Sequence, residues 1–143
     1  MRFEAQIHID RPPEVVFAAL TNVALLPEWQ QSVISAELEG EPGVGARISE
    51  TRKLMGRESK LVSEVTEYDP PHRFSLRSIE GPIPLTVIHV LEPSGGGTRV
   101  EVVFEASPKG VMRLAAGRIQ KSAESEFRGD LERLKALLER RQP

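Results

Sequence analysis

The chain has 143 residues, 19 basic and 21 acidic side chains for a formal net charge of −2, and no cysteine. That length fits one domain over 1–143 with enough chain to bury its own core. The missing cysteines exclude thiolate metal sites and cysteine nucleophiles, and a balanced charge with 5% aromatic residues gives no case for nucleic acid as a partner.

Phe3, Ala5, Ile7 and Ile9 alternate with Glu4, Gln6 and His8, the period of a half-buried strand. Asp10, ahead of Arg11-Pro12-Pro13-Glu14, reads as a helix N-cap with proline in the first turn, where its missing N–H costs nothing. Val15, Val16, Ala19 and Leu20 give that short helix one apolar face. Asn22 is placed to cap a second short helix over 23–29, which Pro27 bends or ends. Strands are predicted at 33–38, 46–54, 57–68, 73–79, 85–91 and 98–106. Gly/Pro-rich breaks separate them, among them Asp69-Pro70-Pro71 and Gly95-Gly96-Gly97, so the pattern is an antiparallel meander.

From Pro108 to Arg141, Met112, Ala116, Ile119, Ala123, Phe127, Leu131, Leu134 and Leu138 recur at three- or four-residue steps. This predicts one amphipathic helix of roughly thirty residues, about 45 Å long. Its second half is bulky and should anchor on the sheet. Its first half, Met112, Ala115, Ala116, Ile119 and Ala123, is thin and should leave room beneath it, with Met55 as a further pliable wall. The fold class is α+β: an antiparallel sheet with one apolar face packed on a long helix. No run approaches the roughly 18 apolar residues of a membrane span. The charged, alternating start does not read as a secretory leader. The expectation is a cytoplasmic protein without integral membrane association.

Several segments carry a family resemblance: Ile9-Asp10-Arg11-Pro12-Pro13-Glu14-Val15-Val16-Phe17, Asn22 with Leu25-Leu26-Pro27-Glu28-Trp29, Val65 to Phe74, Leu91-Glu92-Pro93 with Gly97-Thr98-Arg99-Val100, and Leu131, Leu134, Lys135 and Leu138. Together they resemble the START-like (SRPBCC) superfamily in its polyketide cyclase/dehydrase branch, over nearly the whole chain. The resemblance implies a helix-grip fold: a curved sheet of about seven strands wrapped around a long C-terminal helix, with two short helices after the first strand. It also implies a deep apolar pocket between sheet and helix. Family members bind lipids, sterols, hormones or polyketides, some are cyclases, and some act through protein partners.

Candidate chemistry is sparse. His89 shares a strand face with Val87 and Leu91; it points into the cavity if Leu91 does, and to solvent if Ile88 and Val90 face inward instead. Gly45-Ala46-Arg47-Ile48 suggests that Ile48 points inward and carries Glu50 and Arg52 with it. A Glu–Arg pair there orients a polar ligand group or activates a water; at the open end of the sheet it is a solvated ion pair. Trp29 either stacks on a flat ligand at the cavity mouth or caps the core. Phe74, Leu76 and Ser78 face inward, leaving Arg77 outside. His8 reads as surface and His72 as a turn residue. The charged run Glu124, Glu126, Arg128, Asp130, Glu132, Arg133 and Lys135 reads as the solvated face of the helix. The glycine-rich stretches lack a phosphate-loop ending, and no metal-ligand or serine-elbow motif occurs. No metal or cofactor is expected.

The favoured expectation is a protein that binds a hydrophobic small molecule (lipid, polyketide or aromatic metabolite). Its cavity is lined by Trp29, Ile48, Leu76, Ser78, Val87, His89, Val102, Phe104, Met112, Ala116, Ile119 and Ala123. One rival is a polyketide cyclase/dehydratase with His89, Glu50 and Arg52 as its acid–base groups. Another is a regulator acting through protein partners. Val62 and Val103, on outward strand faces, permit a homodimer.

Overall fold

A computed structural model describes residues 1–54 and 56–140. Met55 and the predicted helix end at Arg141 therefore lie outside the described residues. The chain runs β1 (Arg2–Ile9), α1 (Pro13–Leu20), a 3-10 turn (Val23–Leu25), α2 (Leu26–Trp29), β2 (Val33–Glu39), β3 (Arg47–Leu54) and β4 (Arg57–Asp69). It continues through β5 (Arg73–Glu80), β6 (Leu85–Ser94), β7 (Gly97–Ala106), a second 3-10 turn (Gly110–Ala115) and α3 (Ala116–Arg140).

The seven strands form one open antiparallel sheet in the order β1-β7-β6-β5-β4-β3-β2. β1 and β2 are thus its two edges. α3 packs along β1, while α2, which sits on β2, also touches α3. Both edges are therefore drawn toward the same helix, which is the curved, helix-gripping arrangement that the resemblance implies. The register stacks one apolar layer under it: His89 lies opposite Phe74 and Val102, and Val87 opposite Leu76 and Phe104. Ile9, Val16, Leu91, Val100, Val102 and Leu134 are almost wholly buried.

The two halves of the C-terminal segment differ. Leu131, Leu134, Leu137 and Leu138 are buried, and Phe127 edges onto Phe3 at 5.5 Å while Phe3 stacks on Phe104 at 4.8 Å. Met112, Ala115, Ala116, Ile119 and Ala123 are each only half-buried.

Four local expectations are corrected. Asp10 is not the N-cap of α1: Pro12 occupies that position without a side-chain bond, and the Asp10 backbone N–H instead donates to Glu139 at 2.9 Å, tying the start of the chain to the end of α3. Pro27 sits in the first turn of α2, so it opens that helix rather than ending one. Asn22 does act as a cap, but for the 3-10 turn, accepting from the Ala24 N–H at 3.1 Å. The long helix begins at Ala116, not after Pro108, because a 3-10 turn comes first, opening at Gly110 with a left-handed φ of 62°.

Candidate functional site

Alternation along β3 turns Ile48, Glu50 and Arg52 to the inner face, and all three are shielded there. Glu50 is 7% exposed, so its carboxylate needs a partner, and Arg52 Nε supplies one at 2.5 Å. The guanidinium also donates to Ser32 Oγ at 2.9 Å and to Gln30, both in the connection from α2 to β2. Arg52 thus spends its planar fork on three acceptors at once.

α3 meets the same connection from the other side. Asp130 is 5% exposed; its carboxylate accepts from the Gln31 N–H at 3.0 Å and pairs with Arg133. Arg133 Nε in turn donates to the Trp29 carbonyl at 3.1 Å. One turn earlier, Glu126 hydrogen-bonds Ser32 and feels both Arg52 and Arg133. Burial is the main reason its pKa is raised; Asp130 raises it further, and Arg52, the Ser32 bond and Arg133 oppose the shift. β3, the α2–β2 connection and α3 are therefore joined by one polar network.

Above that network opens a cleft of about 790 Å³. Gln31 and Ser32 line it from the connection, Lys53 from the end of β3, and Arg118, Lys121, Ser122, Ser125, Glu126, Gly129 and Arg133 from α3. A smaller cavity of about 120 Å³ lies at the other end of the inner face, where Ile48, Val65, Tyr68 and Phe74 meet Val23 and Leu38. Among the described residues no group of three or more His, Asp and Glu side chains is placed to hold a metal ion.

His89 faces inward with Val87 and Leu91. Its ring stacks on Phe74 at 5.7 Å, and its Nδ1 lies 2.9 Å from the Phe74 carbonyl oxygen. A carbonyl can only accept, so Nδ1 carries the proton and Nε2 is the bare nitrogen. Burial lowers the His89 pKa to about 4, against a small opposing effect of the Phe74 bond, so the ring is neutral at physiological pH.

None of the residues nominated from sequence lines the larger cleft. Glu50 and Arg52 lie beneath it, connected through Ser32 and Glu126, while Ile48 lines the smaller cavity. Trp29, Val87, Val102 and Phe104 are buried core residues. Leu76 and Ser78 are half-buried, and Ser78 Oγ accepts from the Leu85 N–H at 2.8 Å, closing the turn before β6. Met112, Ala116, Ile119 and Ala123 are half-buried along the apolar row of α3 and the turn before it, and none of them lines the cleft.

Glu126 and Asp130 are the groups that sequence reasoning assigned to solvent and that the structure draws inward. The available signal was a second row, Ser122, Glu126, Asp130 and Arg133, displaced by one residue from the apolar row Ala123, Phe127, Leu131 and Leu134. One residue is about 100° of helix rotation, so this row turns toward the α2–β2 connection instead of the sheet.

The family model described as "Polyketide cyclase / dehydrase and lipid transport" matches residues 1–139. No curated protein sequence matches the chain. Among solved structures, TTHA0849 from Thermus thermophilus is similar over 99% of this chain and 100% of its own, with a TM-score of 0.86 at 23% identity. The di-domain ARO/CYC StfQ from the steffimycin biosynthetic pathway is similar over 98% of this chain and 51% of its own, with a TM-score of 0.83 at 17% identity. Ara h 8.0201 is similar over 96% of both chains, with a TM-score of 0.69 at 19% identity. At these identities the structural likeness establishes a shared fold.

Proposed function

The chain belongs to the polyketide cyclase / dehydrase and lipid transport family, and from that premise we propose that it binds a small molecule with a hydrophobic body in the cleft beside α3. The observation that carries this reading is the cleft itself. Its volume of about 790 Å³ falls within the roughly 300–1,000 Å³ of small-molecule sites. Among its α3 lining are the small residues Ser122, Ser125 and Gly129, where a bulkier side chain would narrow it. Titration with N-phenyl-1-naphthylamine, a neutral flat fluorophore, tests the proposal. Saturable enhancement at one site per chain supports it; a linear response up to the solubility limit refutes it.

Acid–base turnover as a polyketide cyclase/dehydratase is a second reading, favoured by one observation: Glu126 borders the cleft with its carboxyl biased toward the protonated form by burial. A neutral carboxyl can give a proton to a departing hydroxyl or a ketone oxygen. In this reading Arg52 positions Glu126 through Ser32, and Glu50 holds Arg52 in place. His89 becomes a base for a ligand that reaches the core beside Phe74, and a weak one, since its pKa is about 4. With a poly-β-ketide thioester as substrate, Glu126→Gln should abolish cyclised or dehydrated product while N-phenyl-1-naphthylamine still binds. Unchanged turnover in that variant refutes the acid role.

A further inference from the structure

We infer that the occupant of this cleft is an amphipathic anion, an apolar body ending in one carboxylate or phosphate head that Lys53, Arg118 and Lys121 hold. The inference rests on the small-molecule reading above and adds the chemistry of the ligand.

The charge around the cleft does not follow the charge of the chain. The protein carries a formal net charge of −2, yet four cationic residues line this cleft against one acidic residue, Glu126. Arg133 is committed to Asp130 and to the Trp29 carbonyl. Among the described residues Lys53, Arg118 and Lys121 make no ion pair, as Arg47, Arg57 and Lys60 outside the cleft also make none; what sets the three apart is that they gather at one opening. Arg118 and Lys121 are three residues apart, on one face of α3, where like charges repel. The residues that follow them at the wall, Ser122 and Ser125, are neutral. Lys53 adds a third like charge from β3.

Glu58 lies directly across from Lys53 in the β3–β4 register without making an ion pair with it. Asp130 is used by the Gln31 N–H and Arg133, and Glu50 by Arg52. Glu126, the one acidic residue in the lining, interacts with Ser32, Arg52 and Arg133. Three cationic residues that make no ion pair, gathered around one opening, favour an anion there. A bare inorganic anion fills only a small part of 790 Å³. The remaining wall includes the methylene stems of those lysines and arginines, which are apolar surfaces with charged tips. An anionic head with an apolar body matches both features.

The test uses three ligands that share a ten-carbon chain, decanoate, decyl phosphate and decanol, titrated into the full chain by calorimetry below their micelle-forming concentrations. At 50 mM salt, decanoate or decyl phosphate should bind at least about tenfold more tightly than decanol, one charge-assisted contact's worth of affinity. That advantage should shrink at 500 mM salt. It should also disappear in the triple variant Lys53→Gln, Arg118→Gln, Lys121→Gln and persist in Lys60→Gln, which changes an exposed cation outside the cleft. A preference for decyl phosphate over decanoate assigns the head as phosphate, and the reverse assigns it as carboxylate; either supports the inference. Equal affinity for decanol and both anions overturns the anionic head and leaves the binding reading standing. Failure of all three ligands to bind overturns both.

Discussion

Glu50 and Arg52, two residues apart on one face of β3, meet at 2.5 Å in the interior, and Arg52 also reaches Ser32 and Gln30. Removing one partner strands the other. Arg52→Met should destabilise the fold by on the order of 3 kcal/mol, because it leaves the Glu50 carboxylate shielded and uncompensated. The double variant Glu50→Leu, Arg52→Met should recover much of that loss. Urea midpoints of the two variants check this; a double variant less stable than Arg52→Met contradicts it.

His89 makes stability depend on pH in a defined window. Its folded pKa of about 4 lies below the ordinary 6.5, so between those values the unfolded chain takes up a proton that the folded chain refuses. The contribution is present in full above pH 6.5, falls as pH drops toward 4, and is constant below that. It amounts to up to about 3 kcal/mol. His89→Phe, which keeps a ring beside Phe74, should flatten the stability profile between pH 6.5 and 4 relative to the parent. Parallel profiles for the two proteins contradict the assignment.

Glu126 has the opposite sign. Its folded pKa is raised, so the folded state holds a proton that the unfolded state releases as pH climbs above 4.5, and its ionisation weakens the fold there. Glu126→Gln keeps a hydrogen-bonding side chain beside Ser32 without the charge. Its stability relative to the parent should be higher at pH 7 than at pH 4, measured by denaturant midpoints at the two values. A relative gain that grows on acidification contradicts this.

The two halves of α3 should respond differently to truncation. Leu134 is 0% exposed, so Leu134→Ala should cost about 3 kcal/mol or more. Ile119 is only half-buried beside the cleft, and Ile119→Ala should cost under about 1 kcal/mol. Thermal unfolding of both variants compares them directly; equal losses would mean that the first half packs as tightly as the second.

The strands and the anchor of α3 were readable because each has one strong period. Ile48 fixed the inward face of β3 and carried Glu50 and Arg52 with it. Phe127, Leu131, Leu134 and Leu138 fixed the anchoring face of the helix, although Leu137, also buried, fell outside that row. The cleft was not readable from the same signal. An apolar stripe says where a helix meets a sheet, whereas this cleft lies to one side of the stripe, facing the α2–β2 connection. Charged residues at such a position look like solvent-facing ones until a third element packs against them. Asp130 is the case in point: the Gln31 N–H that it accepts from lies 99 residues away in sequence. His89 was open in sequence because Val87, Ile88, Val90 and Leu91 are apolar on both faces of β6, and only the pairing of β6 with β5 and β7 sets which face is inner.

The central claim is that α3 and the α2–β2 connection enclose a ligand site, and amide chemical shifts of 15N-labelled protein during titration with N-phenyl-1-naphthylamine test it most directly. Saturable shifts concentrated at Gln31, Ser32, Ser122, Ser125 and Gly129, and lost in Ser125→Trp, are the predicted result. No saturable shifts, or shifts centred on Val23, Tyr68 and Phe74 around the smaller cavity, would contradict the claim.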